Sequence, residues 1–138
     1  KAEEINRSCG KEVVRYLGFV LDTPSLYAVS DIIIGMSRVA LEAMSCGKPA
    51  VIFGPGGTFG PASPENFDVL EERNYVSLNA PLPPTSAHLA DFLDDLIKNP
   101  DKIEELGRYG RKVVADCHSE ESVARATEAV YLELLKKR

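Results

Sequence analysis

Residues 31–53, DIIIGMSRVALEAMSCGKPAVIF, decide the fold class of this chain. Ile32, Ile33 and Ile34 are consecutive β-branched residues with no polar alternation, the pattern of a strand buried on both faces. Gly35 ends that run, and residues 38–46 follow with helical spacing. Gly47 turns the chain, and residues 50–53 read as a second buried strand. Strand, short helix and strand at this spacing predict an α/β fold, a parallel sheet flanked by helices. The corner between the first strand and the helix is the usual α/β position for an anionic ligand, because the amides that open a helix lack internal acceptors.

Upstream of this unit, residues 13–17 read as a short strand closed by Gly18. Thr23-Pro24 reads as a cap with proline at the first helical position, opening a short helix that ends near Ser30. Downstream, residues 54–60 hold four glycines and Pro55 and read as a loop. Residues 65–72 suit a short helix, 75–78 a further strand, and 81–84 a proline-rich linker. From Thr85 the chain is helical, with Leu89, Phe92, Leu93, Leu96 and Ile97 on one face. Asn99-Pro100 opens the next helix, where Ile103, Leu106, Tyr109 and Val113 recur. A last helix starts near Ser119 with Val123, Ala126, Val130 and Leu134 in register, a stripe expected to pack into the core. Its basic end, Lys136-Lys137-Arg138, suits the negative end of a helix dipole. Residues 1–138 thus read as one domain, a strand–helix core over 1–80 and a helical portion over 85–138.

A chain of 138 residues with 44% hydrophobic and 27% charged content can bury one core. Its formal net charge of −5 argues against nucleic acid as a partner, which would require a basic footprint. Arg108, Arg111 and Lys112 are diluted by acidic neighbours. Cys9, Cys46 and Cys117 are dispersed and form no CxxC pair, which fits reduced thiols and a cytoplasmic protein. His88 and His118 lie in different segments and offer no metal-ligand spacing. No run approaches the ~20 apolar residues of a membrane span. Residues 1–9 are polar and make no signal peptide. The first residue is not Met, so the chain is expected to be processed or cut from something longer.

The amides of Ser37, Arg38 and Val39 open the helix and can donate to a phosphate or a carboxylate; the Ser37 hydroxyl can instead cap them. Arg38 can add a charge-assisted contact to phosphate or stand in solvent. Glu42, one turn on, can pair with Arg38 for only ~0.2–0.5 kcal/mol, or accept from two adjacent sugar hydroxyls, one per oxygen. Gly54-Pro55-Gly56-Gly57-Thr58-Phe59 starts like GxGxxG but ends on Phe59. No lysine–hydroxyl pair of a P-loop follows it.

With these residues in view, GFV, the short helix and SDIIIGMSRVALEAMSCGKPAVIFGPGG together resemble the second domain of GT-B glycosyltransferases, the retaining enzymes of group 1 and family 4 type. The likeness runs over residues 13–67. It implies a nucleoside-diphosphate sugar as donor substrate, with no metal or other cofactor. It implies that Glu42 holds the ribose hydroxyls, that Gly35, Met36, Ser37 and Arg38 lie by the diphosphate and donor sugar, and that Gly56, Gly57 and Thr58 border the nucleotide. The family's first motif glutamate stands eight residues before the second, where this chain has Ile34. Subfamilies with a Gly-x-x-Arg variant, the pattern of Gly35 to Arg38, also lack it. The catalytic residues themselves are not assigned.

The resemblance further implies a Rossmann-like sheet of order 3-2-1-4-5-6, in which residues 13–17 are the third strand. The first two strands, the basic residues after them and the acceptor domain are absent, so the chain reads as a fragment that does not turn over alone. Strands 13–17 and 32–34 are then expected to pair directly, or a homodimer to shield the exposed sheet edge. The full-length protein is expected in the cytoplasm or at the membrane periphery, where many relatives sit. Two other functions compete: a nucleotide-sugar-binding or interaction module without catalysis, and a sugar-nucleotide epimerase-like domain.

Overall fold

In a computed structural model, which describes residues 1–137, the isoleucine run forms strand β1 (Ile33–Gly35), and Arg138 of the basic C-terminal run lies outside the described residues. Strand β2 (Ala50–Gly54) lies parallel to β1, with Ile33 opposite Ala50 and Gly35 opposite Ile52. Helix α3 (Arg38–Ser45) makes the crossover and buries Ala40, Ala43 and Met44. A third strand, β3 (Gly57–Pro61), pairs antiparallel with the other edge of β2, and the sheet order is β1-β2-β3. The chain is therefore a mixed α/β domain, a small three-stranded sheet flanked by helices.

Two expectations are corrected here. The sheet is not wholly parallel, and residues 54–60 are not a loop but the turn and second arm of a hairpin. Glycine disfavours strand structure through its backbone freedom, which is why the run reads as a loop. Packing overrides that bias. Gly57 has φ of 134° and a Cβ there would lie 2.7 Å from the Leu82 carbonyl oxygen, so only glycine lets β3 lie against residues 80–82.

After β3, Pro64–Asn66 forms a single 3₁₀ turn that leads into α4 (Phe67–Glu72), as expected for residues 65–72. Residues 75–78 are not a strand. Asn74 and Tyr75 take φ of 51° and 57°, left-handed values that break an extended run.

The N-terminal region departs most from expectation. Residues 2–9, polar in composition, form helix α1 (Ala2–Cys9) with no buried residue. Residues 13–17 form no strand. They are held instead by one side chain: Asn6 Oδ1 accepts from the amides of Val13 and Val14, each at 2.8 Å, and Asn6 Nδ2 donates to the Val14 carbonyl at 2.7 Å. Among the described residues nothing pairs with the outer edge of β1, so direct pairing of 13–17 with 32–34 does not form. Helix α2 (Thr23–Ala28) starts as expected, but its cap is Asp22, whose carboxylate accepts from the Ser25 amide at 3.2 Å. Hydrogen bonding from the Ser25 side chain first, and from its amide second, holds the Asp22 carboxyl below its usual range.

The C-terminal half is helical as read: α5 (Ser86–Lys98), α6 (Pro100–Cys117) and α7 (Glu120–Lys136), with Thr85 capping α5 and Ser119 capping α7. Helix α6 packs across α3, with Gly107 and Gly110 buried at the crossing. Val113 and Tyr109 join Met44, Ile52, Leu70 and Tyr75 in the main core. Leu96, Leu106 and Val51 form a second cluster on the other face of β2. Ile97, expected on the buried face of α5, is exposed. The stripe of α7 is corrected too: Val123, Val130 and Leu134 are exposed, because α7 touches the body chiefly at its junction with α6. No helix among the described residues is long and apolar enough to cross a membrane.

Candidate functional site

Helix α3 begins at Ser37, which has φ of 52° and ψ of −127°. A non-glycine residue held there stores on the order of 1–3 kcal/mol of strain that surrounding contacts must maintain. The Ser37 hydroxyl makes no capping bond to the helix, so that alternative is not realised. Its amide is not free either: it donates to the Tyr75 carbonyl at 2.8 Å. The donors at this corner are therefore the next amides, of Arg38, Val39 and Ala40, which have no acceptor within their own helix. They sit at the positive end of the helix dipole. Arg38 and Val39 are exposed.

Glu42 lies one turn further on, half-buried. Its Oε1 is 3.5 Å from Arg38 Nε, and its Oε2 accepts from the Tyr27 hydroxyl at 3.1 Å. The Arg38 side chain is 90% exposed, so this ion pair contributes only ~0.2–0.5 kcal/mol and leaves the guanidinium free to turn toward another anion. Tyr27 is almost fully buried. Burial first, and the Glu42 hydrogen bond second, push its phenol above the ordinary tyrosine value, so it remains a neutral donor. One carboxylate oxygen is thus held by a buried phenol, and the other faces an exposed cation at the surface.

Tyr27 is a site residue that sequence reasoning missed. It stands fifteen positions before Glu42 on a short helix of its own, and no spacing signals the contact. Tyr75 and Ser77 were missed as well. Ser77 Oγ donates to Met36 Sδ at 3.4 Å, which fixes the Met36 side chain beside the end of β1. Gly35 closes β1 and leads into this turn.

The glycine hairpin contributes differently. Gly56 lies against the backbone of Ser77 and Leu78, where an added Cβ would come within 2.8 Å. Gly57 and Thr58 are buried. The Thr58 hydroxyl donates to the Ile52 carbonyl at 2.7 Å and accepts from the Gly60 amide at 3.0 Å, which closes the β2–β3 bulge. Gly35, Met36, Ser37, Arg38 and Glu42 come together at one corner. Gly57 and Thr58 serve the hairpin from inside.

Elsewhere, a cleft of about 600 Å³ opens between the end of β3 and α5–α6, lined by Glu65, Asp95, Asp101, Lys102 and Glu105 among others. Its carboxylates disfavour an anion. Among the described residues no three His, Cys, Asp or Glu side chains are grouped to hold a metal ion.

Fold and corner together define a mixed α/β domain whose crossover helix presents uncapped amides beside an acid. No family model matches the chain, and no solved structure matches it. The chain is similar to spore coat protein SA of Bacillus subtilis (strain 168), with 29% identity over 132 residues, 88% of this chain and 32% of that protein. It spans about a third of the length of that relative.

Proposed function

We propose that this chain is the donor-binding part of a glycosyltransferase that moves a sugar, with retention, from a nucleoside-diphosphate sugar to an acceptor. The observation that carries this reading is the start of α3: an uncapped, strained Ser37 followed by exposed amides, with Glu42 one turn along and braced by buried Tyr27. Diphosphate oxygens would accept from the Arg38 and Val39 amides, and the Arg38 guanidinium would swing from Glu42 onto the same oxygens. That movement frees Glu42 Oε1. The carboxylate, still oriented by Tyr27, can then accept from adjacent ribose hydroxyls. In the transfer step the C1–oxygen bond to the diphosphate breaks, a bond from C1 to the acceptor nucleophile forms on the same face, the acceptor's proton passes to the departing diphosphate, and donors at the helix start would stabilise charge on that leaving group.

The acceptor domain that the resemblance implies would lie outside this chain. The exposed apolar strip of residues 13–21 and the free edge of β1 are suited to be covered by it. A second copy of this chain is the alternative cover, and size-exclusion chromatography with light scattering separates the two. A concentration-independent monomer excludes the homodimer.

A second reading keeps nucleotide-sugar binding without catalysis. Ile34 favours it, since an apolar, exposed side chain stands where the family's first glutamate would be. The spore coat name of the relative is compatible with such a non-catalytic role here. Calorimetric titration with UDP, GDP and ADP tests both readings. Binding of one of them, lowered tenfold or more by Glu42→Ala, supports the site. Affinity unchanged in Glu42→Ala removes Glu42 from it, and no binding of any nucleotide by the intact chain removes the proposal.

A further inference from the structure

Two strained residues of this chain are hydrogen-bonded to each other. Ser37, at φ of 52°, donates its amide to the carbonyl of Tyr75, itself at φ of 57°. Two positions on, Ser77 Oγ donates to Met36 Sδ. One short segment thus holds two adjacent residues of the α3 corner. The segment is pinned from behind. The Tyr75 amide donates to the Leu70 carbonyl at 2.8 Å, and its hydroxyl donates to Glu71 Oε1 at 2.7 Å. His118 Nε2 lies 2.7 Å from the same Glu71 oxygen, with its ring edge-on to the Tyr75 ring at 5.9 Å. His118 is the residue that ends α6 and leads into α7.

We propose that Glu71, Tyr75 and His118 form a clasp that positions the Ser37 turn and links it to the α6–α7 junction. The inference rests on the nucleotide reading of the α3 corner and adds its regulation. All three are positioning residues, acting on the corner through the Tyr75 carbonyl. One carboxylate oxygen receives both donors, so a shift of His118 alters how firmly Tyr75 is held. The Tyr75 carbonyl passes that change to the Ser37 amide, and hence to the amides that follow it. Linkage is reciprocal: whatever packs on α7 and moves His118 changes affinity at the corner, and a ligand there tightens the junction.

The test uses the ¹⁵N-labelled full chain, first without any ligand. Tyr75→Phe removes only the hydroxyl, His118→Ala removes the donor, and His118→Gln keeps an N–H donor. Leu89→Ala, in the second hydrophobic cluster, controls for general loosening. Tyr75→Phe and His118→Ala are expected to move the Ser37 and Arg38 amide resonances and to speed Ser37 hydrogen exchange by about threefold to tenfold. His118→Gln is expected to stay near the wild type, and Leu89→Ala to leave Ser37 unmoved. Folded variants with unmoved Ser37 and Arg38 amides overturn the clasp. So does a Leu89→Ala effect as large as that of Tyr75→Phe. UDP is then added. Affinity lowered by a similar factor in Tyr75→Phe and His118→Ala supports the link to the site, and moved amides with unchanged affinity overturn it. If the wild type binds no nucleotide, the nucleotide reading fails, while the ligand-free resonances still decide the clasp.

Discussion

Val51 and Ile52 on β2 are 0% exposed, whereas Phe19 and Leu21, some thirty residues earlier, are 91% and 88% exposed. The two stretches are alike in apolar content. They differ in neighbours. Strand β2 has β1 on one edge and β3 on the other, α3 and α6 over one face and α5–α6 over the other. Val13 and Val14 are held by the side chain of Asn6, and among the described residues no strand pairs with 13–21. Apolar character supplies the tendency to leave water, and burial still requires a surface to leave it for. The βαβ unit carries its own surface, while most of the N-terminal strip faces solvent.

The sharpest test of that contrast is a truncation on each side. Ile52→Ala is expected to cost about 2–5 kcal/mol in chemical denaturation, through lost burial and the cavity it leaves. A fall of less than 1 kcal/mol would mean that β2 is not the centre of the core. A pH titration probes the same packing more gently. Tyr27 and Tyr75 are held neutral, chiefly by burial and then by hydrogen bonds to Glu42 and Glu71. Unfolded tyrosines ionise near pH 10. The folded chain keeps these protons to higher pH, so the stability they contribute is complete below about pH 10 and erodes as the pH climbs from there toward the raised folded values. The melting temperature of the wild type should drop above pH 10, and Tyr27→Phe and Tyr75→Phe should each flatten that drop.

On the other side of the comparison the effects shrink. Asn6→Ala removes three exposed hydrogen bonds and is expected to cost at most about 1 kcal/mol, yet to speed amide exchange at Val13 and Val14 while leaving β2 protected. Phe19→Ser should leave stability within about 0.5 kcal/mol of the wild type while lowering the binding of a hydrophobic dye. A large loss of stability in Phe19→Ser would show that the strip already has a cover in solution.

The βαβ unit was legible because its signals are local: a β-branched run, a glycine at each turn and a helical apolar face. The starts of α5 near Thr85 and of α7 near Ser119 were legible for the same reason. Strand β3 was not, since Gly54, Gly56, Gly57 and Gly60 argue for a loop unless the close approach of residues 77–82 is known. Residues 13–17 have strand composition, but a strand is a relation between two segments, and among the described residues no second segment pairs with them. Helix α1 hid behind its polarity. At the candidate site, Ser37, Arg38 and Glu42 could be placed together from spacing alone. The partners that give the corner its shape, Tyr27 on a separate short helix and Tyr75 in a turn, are distant in sequence and leave no periodic trace.

The Asn6 brace has a consequence for association. By holding the Val13 and Val14 amides and the Val14 carbonyl in advance, it would remove part of the ordering entropy that docking onto a slack segment incurs. A segment docking there would meet main-chain groups already held in place, and the gain would fall on its rate of encounter more than on its final area of contact.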